Sequence, residues 1–463
     1  MPAAAPDPLA RALAPRPGGL KVEDVAKVVA RNKHSVRSKQ EELKAAAAKV
    51  DQAFVGFFPR VSLSASYTRL SNFTPGNITF AGMSFPASTL FPILVDNGSF
   101  QASISVPVTD YVFRLAQGYS AASHSEKSAR FAADAEALQA AADARIAYFN
   151  WVRAKGAIVV SQEAVAQSQA HLEDAKKSFN VGLASKADVL RIDAQVAAAQ
   201  QALAESIAYA AVAEEQLRVL LGAPPDRPLE IGTDVMNEAA TVPAESLQAL
   251  EEQAMGKRLE VRALDETVES LKQVESVTKA GYLPRIDAFG DALMANPNPR
   301  AFPPAQAWMG TWDLGVRLSW TLNDTFTTIG AANEARAHTG TALEQRGSLQ
   351  DGLRVEVSSA YADAMKAPPT IEAADRGMVA AEESLRVRRE LFRNGKATSS
   401  ELVDAEAEMT RARLRKLDAH VGLLVARARL DHAVGRDVPA RPLPETSEPP
   451  PPSARRAAPP SRY

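Results

Sequence analysis

The sequence predicts a mainly α-helical chain that also carries transmembrane β-strands, built from two copies of one helix–strand–strand–long helix–helix unit. Three observations predict it. The hexapeptides GFFPRV (56–61) and GYLPRI (281–286) place one helix-to-strand corner at two points 225 residues apart. Past the corners, a shift of 213 lays Tyr148 on Tyr361, Leu172 on Leu385, Phe179 on Phe392, Gly182 on Gly395, Leu217 on Leu430 and Gly222 on Gly435. Short segments near each corner alternate apolar and polar residues, the pattern of strands with two unlike faces. A period this long, occurring twice, is a duplication and not a stacked solenoid. The fall in offset puts about a dozen extra residues into the first unit's inter-strand loop.

Residues 1–20 contain five prolines before position 18 and no apolar run, so a flexible segment is expected that does not read as a signal peptide. Repeat 1 then covers 21–230 and repeat 2 covers 231–437. In each, a helical segment (22–55; 246–280) reaches the Pro-Arg corner. Strands follow at about 60–70 and 99–109, then at about 284–294 and 311–323. A long helix comes next (112–179; 326–392) and ends at Gly182 or Gly395, a residue free to take the positive φ of a helix C-terminus. The returning helices carry a seam at three- and four-residue steps, through Ile192, Val196, Ala199 and Leu217 and again through Ala405, Met409, Ala412 and Leu430. Pro368-Pro369 falls inside the second long helix, opposite Lys155-Gly156, and predicts a bend or break there. The tail 438–463, rich in proline, cannot supply a core and is expected to be disordered.

The strands carry the most information. Val61, Leu63, Ala65 and Tyr67 alternate with Ser62, Ser64, Ser66 and Thr68. Trp312, Leu314, Val316 and Leu318 alternate with Asp313, Gly315, Arg317 and Ser319. The strand after Pro284 is less regular: Phe289 and Leu293 share a face with Asp287 and Asp291. A soluble sheet with one wet face would need a cover that these long helices do not provide. A lipid-facing and a water-facing phase account for the pattern, so lysine at Leu318 should be costly and at Ser319 tolerated. Four strands cannot close a barrel alone, so several copies must share one.

Composition bounds the remaining classes. The 463 residues have 53 basic and 55 acidic side chains, a net charge of −2, which favours no nucleic-acid partner. There is no cysteine, which rules out disulfides, thiol catalysis and a lipidated N-terminal cysteine. The six histidines are scattered without metal or catalytic spacing, and His171 and His420 are expected on solvated helix faces. The reading is therefore not an enzyme, with no cofactor, no metal site and no catalytic residues. The rival is a soluble helical coiled-coil scaffold, which leaves the alternating strands unexplained.

With both P-R-[VI] corners, the strand pairs and the two turns FNVGLASKADVL and FRNGKATSSELVDA in hand, the chain resembles the TolC-like outer-membrane efflux family from residue 21 to about 436. The resemblance implies a homotrimer forming a 12-stranded β-barrel in the outer membrane, against outer-membrane lipid, continuous with an α-helical tunnel in the periplasm. It implies a passive export duct in a tripartite efflux or type I secretion system, with a periplasmic adaptor and an inner-membrane transporter as partners. Without a Met or His cluster, small molecules are the expected cargo. Helices of this length reach about 100 Å at 1.5 Å per residue.

The same resemblance places tunnel-narrowing carboxylates at Glu401 and Asp404, on the turn closed by Gly395. It implies a polar lock at the tip in which Asp188 is present while Phe392 and Ala397 stand where polar partners are expected. Glu401 also reads as the far member of a Thr398 capping box, repeated as Ser185 and Asp188. Asp287, Asp291 and Arg317 are expected to face the lumen.

Overall fold

The computed structural model describes residues 8–72, 76–86, 94–182, 184–226, 228–237, 243–302 and 305–437. Repeat 1 contains α1 (Pro8–Ala12), α2 (Val22–Asn32), α3 (His34–Val55), β1 (Arg60–Arg69), β2 (Asn77–Phe80), β3 (Met83–Pro86), β4 (Asp96–Pro107), α4 (Ala116–Asn180) and α5 (Lys186–Leu221). Repeat 2 contains α6 (Leu247–Lys257), α7 (Leu259–Lys279), β5 (Arg285–Asn296), β6 (Met309–Ser319), α8 (Leu322–Arg393) and α9 (Ser399–Ala433). The dozen extra residues of the first unit are the β2–β3 hairpin, whose turn takes positive φ at Ala81 (52°) and Gly82 (78°).

Spatially the chain forms two units that cut across the repeats. One holds the described residues up to Glu41 with Arg130–Arg262 and those from Gly347; the other holds Glu42–Ala129 and Ala263–Arg346. The second contains an antiparallel sheet in the order β1-β4-β5-β6, with Leu63 opposite Ala102, Ala102 opposite Ala292 and Ala292 opposite Trp312. At its first corner, Phe54 and Phe57 pack edge to face on Tyr119, Tyr111 lies tilted against Phe57, and Tyr111 donates to the Phe57 carbonyl at 2.7 Å. At the second, Arg285 donates to Asp110 at 2.8 Å and Thr109 accepts the Ile286 N–H.

The helical unit has its core around Tyr148, Trp151, Leu217, Leu417 and Val421. The seam on the returning helices is buried as the periodicity indicates: Ile192, Val196 and Leu217 on α5, and Ala405, Met409, Ala412 and Leu430 on α9. The stretch 8–20, expected to be flexible, is anchored to this core through Leu9, Leu13 and Leu20. Leu9 and Leu13 are buried, the Tyr148 hydroxyl donates to the Leu20 carbonyl at 2.8 Å, and Leu20 bridges in parallel to Ile231. Leu9 on α1 and Leu13 just after it form a buried side that proline counting does not reveal. Residues 1–7 and the tail 438–463 lie outside the described residues.

Two further expectations change. Of the bend or break expected at Pro368-Pro369, the break does not occur: α8 is one continuous helix there. Ala367 and Ile371, on either side of the prolines, are buried with Ala419 and Leu423 of α9, so packing holds the helix where two backbone donors are missing. β6 stops at Ser319 rather than 323, because the Asp324 N–H already donates to Thr321 and the next helix starts at Leu322.

Candidate functional sites on the sheet and at the helical turns

The sheet separates its residues by phase. On one face Leu63, Tyr67, Trp312, Leu314 and Val316 are each about 70–80% exposed in the single chain. Among the described residues, β1 and β6 each leave one edge without a neighbouring strand, so the sheet ends in two open ladders. The opposite face is polar. Asp291 accepts from the Ser103 hydroxyl and from Gln101 at 3.1 Å. Across from it stands Asp313, a like charge that would repel, and Arg300 pairs with Asp313 at 2.6 Å. Asp287 is opposite Arg317 in the register. The Arg317 guanidinium lies 4.8 Å above the centre of the Phe289 ring, and Gly315 leaves room for that ring. The irregular Phe289 is therefore a stacking platform on the polar face. Arg300, in the loop before β6, was not legible from the alternation.

The turns of the helical unit follow the capping chemistry. Gly182 (φ 77°) and Gly395 (φ 69°) end the long helices, where the absent Cβ removes the cost of the left-handed region. Ser185 with Asp188 and Thr398 with Glu401 form reciprocal capping boxes. One Glu401 oxygen accepts the Thr398 N–H at 2.9 Å and the other accepts from Arg388 at 2.6 Å. The Thr398 backbone bond, and then Arg388, hold this carboxyl below the usual range. Glu401 is thus engaged in its own turn, whereas Asp404, a turn further along α9, is exposed.

Asp188 has a cross-repeat partner that spacing along the chain did not reveal. Its Oδ1 accepts from the Ser399 hydroxyl at 2.5 Å while Oδ2 serves the Ser185 cap. Arg393 adds a second link to Asp174 at 3.2 Å. Phe392 packs against both repeats' tip clusters, and Ala397 is half-buried. The signal for Ser399 was its place directly after the Thr398 cap, level with the first-repeat cap once the two turns lie side by side.

Further along, α4 meets α9 through polar contacts: Glu163 with Arg413, His171 with Glu406, and Arg153 with Asp418 at 3.4 Å. The expectation that His171 and His420 sit on solvated faces is corrected. His171 is 4% exposed and the His420 side chain 13%. Burial pushes the His171 imidazole down to about 4, so the ring beside Glu406 is neutral. Among the described residues no cluster of three potential metal ligands occurs, and no helix is long and apolar enough to cross a membrane.

The fold is that of outer-membrane channel proteins. The chain aligns with the outer-membrane channel OprN at TM-score 0.76 and 18% identity, over 95% of this chain and 97% of that one. It aligns with the Campylobacter jejuni CmeC outer membrane channel at TM-score 0.76 and 13% identity, over 95% and 94%. The open-state Neisseria gonorrhoeae MtrE outer membrane channel gives TM-score 0.73 and 16% identity, over 89% and 88%. No curated protein sequence matches. The outer membrane efflux protein family matches residues 25–223 and 250–436, and the chain belongs to that family. Its function is that of an outer-membrane efflux channel, and the scaffold alternative does not stand.

Proposed function

We propose that three copies close a 12-stranded barrel in the outer membrane, with the helical unit in the periplasm, and that the assembly is a passive duct for small molecules. A periplasmic adaptor and an inner-membrane transporter complete the system and supply the energy. The observation that carries this reading is the sheet. It has one exposed apolar face, one polar face bearing Asp287, Asp291 and Arg317, and two open edges. Lipid would cover the first face, water the second, and neighbouring copies the edges.

Asp404 is the remaining candidate for a carboxylate ring at the periplasmic aperture, since Glu401 is held by its cap and by Arg388. Three Asp404 side chains around an axis would concentrate field lines and attract multivalent cations. Native mass measurement in detergent should give the trimer, and planar-bilayer recording should show cation block from the periplasmic side. Asp404→Asn should lose that block while assembling normally. A monomer refutes the assembly; an unchanged block refutes the ring alone.

A further inference from the structure

Charges on the polar face of the sheet are not evenly matched. Its strand carboxylates are engaged: Asp287 lies 3.6 Å from Arg285, Asp291 accepts from Ser103 and Gln101, and Asp313 pairs with Arg300. Two of its guanidiniums are not. Among the described residues, the side chains of Arg60 and Arg317 make no hydrogen bond and no ion pair, and Arg317 lies over the Phe289 ring. The duplication shows why Arg60 has no carboxylate. It is the first-repeat counterpart of Arg285 at the 225-residue offset of the corners, and the position that matches Asp287 is Ser62.

The register brings these two cations to either side of one aromatic ring. Arg60 is opposite Ser105, Ser105 opposite Phe289 and Phe289 opposite Gly315, so the four residues form one row across the sheet and share the polar face. A strand spacing of about 4.8 Å puts the Arg60 backbone about 10 Å from that of Phe289. Gly315 fixes the ring: a Cβ there would lie 2.7 Å from Phe289 Cζ, so the ring rests against bare backbone while Arg317, two residues along β6, covers it.

We propose that Arg60, Phe289 and Arg317 form a docking platform for planar organic anions, aromatic carboxylates and sulfonates, on the water side of the barrel. This rests on the passive duct proposed above and names a class of cargo within it. A guanidinium stacked on one ring keeps its in-plane N–H donors and its second face, so Arg317 takes up a planar anion without leaving Phe289. The anion turns its charge towards Arg60, which offers charge-assisted hydrogen bonds and holds no carboxylate of its own. Binding is weak and reversible, as passage demands, because the platform is an open surface and not an enclosing cleft.

The test uses the full chain in lipid vesicles, where the lack of cysteine allows a single reporter. Ser105→Cys places a thiol beside Phe289. Its rate with a methanethiosulfonate bearing a sulfonate, divided by that reagent's rate with a free thiol, should exceed the same ratio for the trimethylammonium reagent about tenfold at low salt. Combining Arg60→Gln and Arg317→Gln should bring the two ratios together. Naphthalene disulfonate should slow the reaction more than butane disulfonate of equal charge; Phe289→Leu should abolish that difference and Phe289→Tyr keep it. If Ser105→Cys reacts with neither reagent, the polar face does not meet water, and the barrel reading falls with the platform. If it reacts without charge preference, or the two disulfonates protect it equally, the platform is wrong and the duct stands.

Discussion

Lysine placed at Leu314 measures which face of the sheet meets lipid. The β5–β6 register runs from Arg285 opposite Ser319 to Ala295 opposite Met309, so Leu314, opposite Gly290, is at mid-strand. It shares the apolar phase with Trp312 and Val316 and is 75% exposed in the single chain. At the bilayer midplane a lysine on the lipid face costs about 2–4 kcal/mol, whereas near the interfaces the cost falls to about 0–1 kcal/mol. Leu314→Lys should therefore shift the folding equilibrium by about 30- to 900-fold per chain. Leu318, which the alternation alone nominates, lies one residue from the strand end and should cost far less. Ser64→Lys tests the other face, because Ser64 is mid-strand in β1 on the polar phase, opposite Gln101. It should be tolerated. The assay is urea unfolding in phospholipid vesicles, read by tryptophan emission and by the heat-modifiable band on gels. Equal costs for Leu314→Lys and Ser64→Lys would show that the phase assignment, and with it the barrel, is wrong.

Ser399→Ala removes a hydrogen bond to the charged Asp188 and should cost about 1.5–3 kcal/mol, with a rise in resting conductance as the readout at the tip. Thr398→Ala should cost about 1 kcal/mol through the lost cap, seen in the thermal midpoint of the helical unit. The Ser185 hydroxyl, and then Ser399, hold the Asp188 carboxyl below its ordinary value of 3.8. A carboxyl lowered on folding contributes its stability above the unfolded value and loses it as pH falls through the folded one. The tip link should therefore survive titration to about pH 4 and fail only below it; conductance that rises already between pH 7 and 5 and is abolished by Asp188→Asn would contradict this. Burial pushes the His171 imidazole down to about 4, so at neutral pH it is an uncharged neighbour of Glu406; Glu406→Ala should therefore cost about 1–3 kcal/mol, more than Glu406→Gln, which can still hydrogen-bond the ring, and equal denaturant midpoints for the two would show that the pair is not buried as described.

Local and periodic features were legible in the amino-acid sequence. The duplication, the corners at Pro59-Arg60 and Pro284-Arg285, the strand phases, the seams of α5 and α9 and both capping boxes depend on spacing of a few residues along one segment. Backbone geometry converts such spacing directly into faces and caps. The tertiary structure decided everything that needs two distant segments side by side. Leu9 and Leu13 are core residues only because α4 passes over them. His171 is buried against Glu406, 235 positions along the chain, only because α4 and α9 lie side by side. Ser399 becomes the partner of Asp188 only when the two turns lie level, and Arg300 reaches Asp313 only when its loop folds onto the polar face. Pro368-Pro369 reads as a bend or break from backbone chemistry alone, and with Ala367 and Ile371 packed on α9 the helix stays continuous. Pairing energies of this kind have no period, so no pattern within a single segment can announce them.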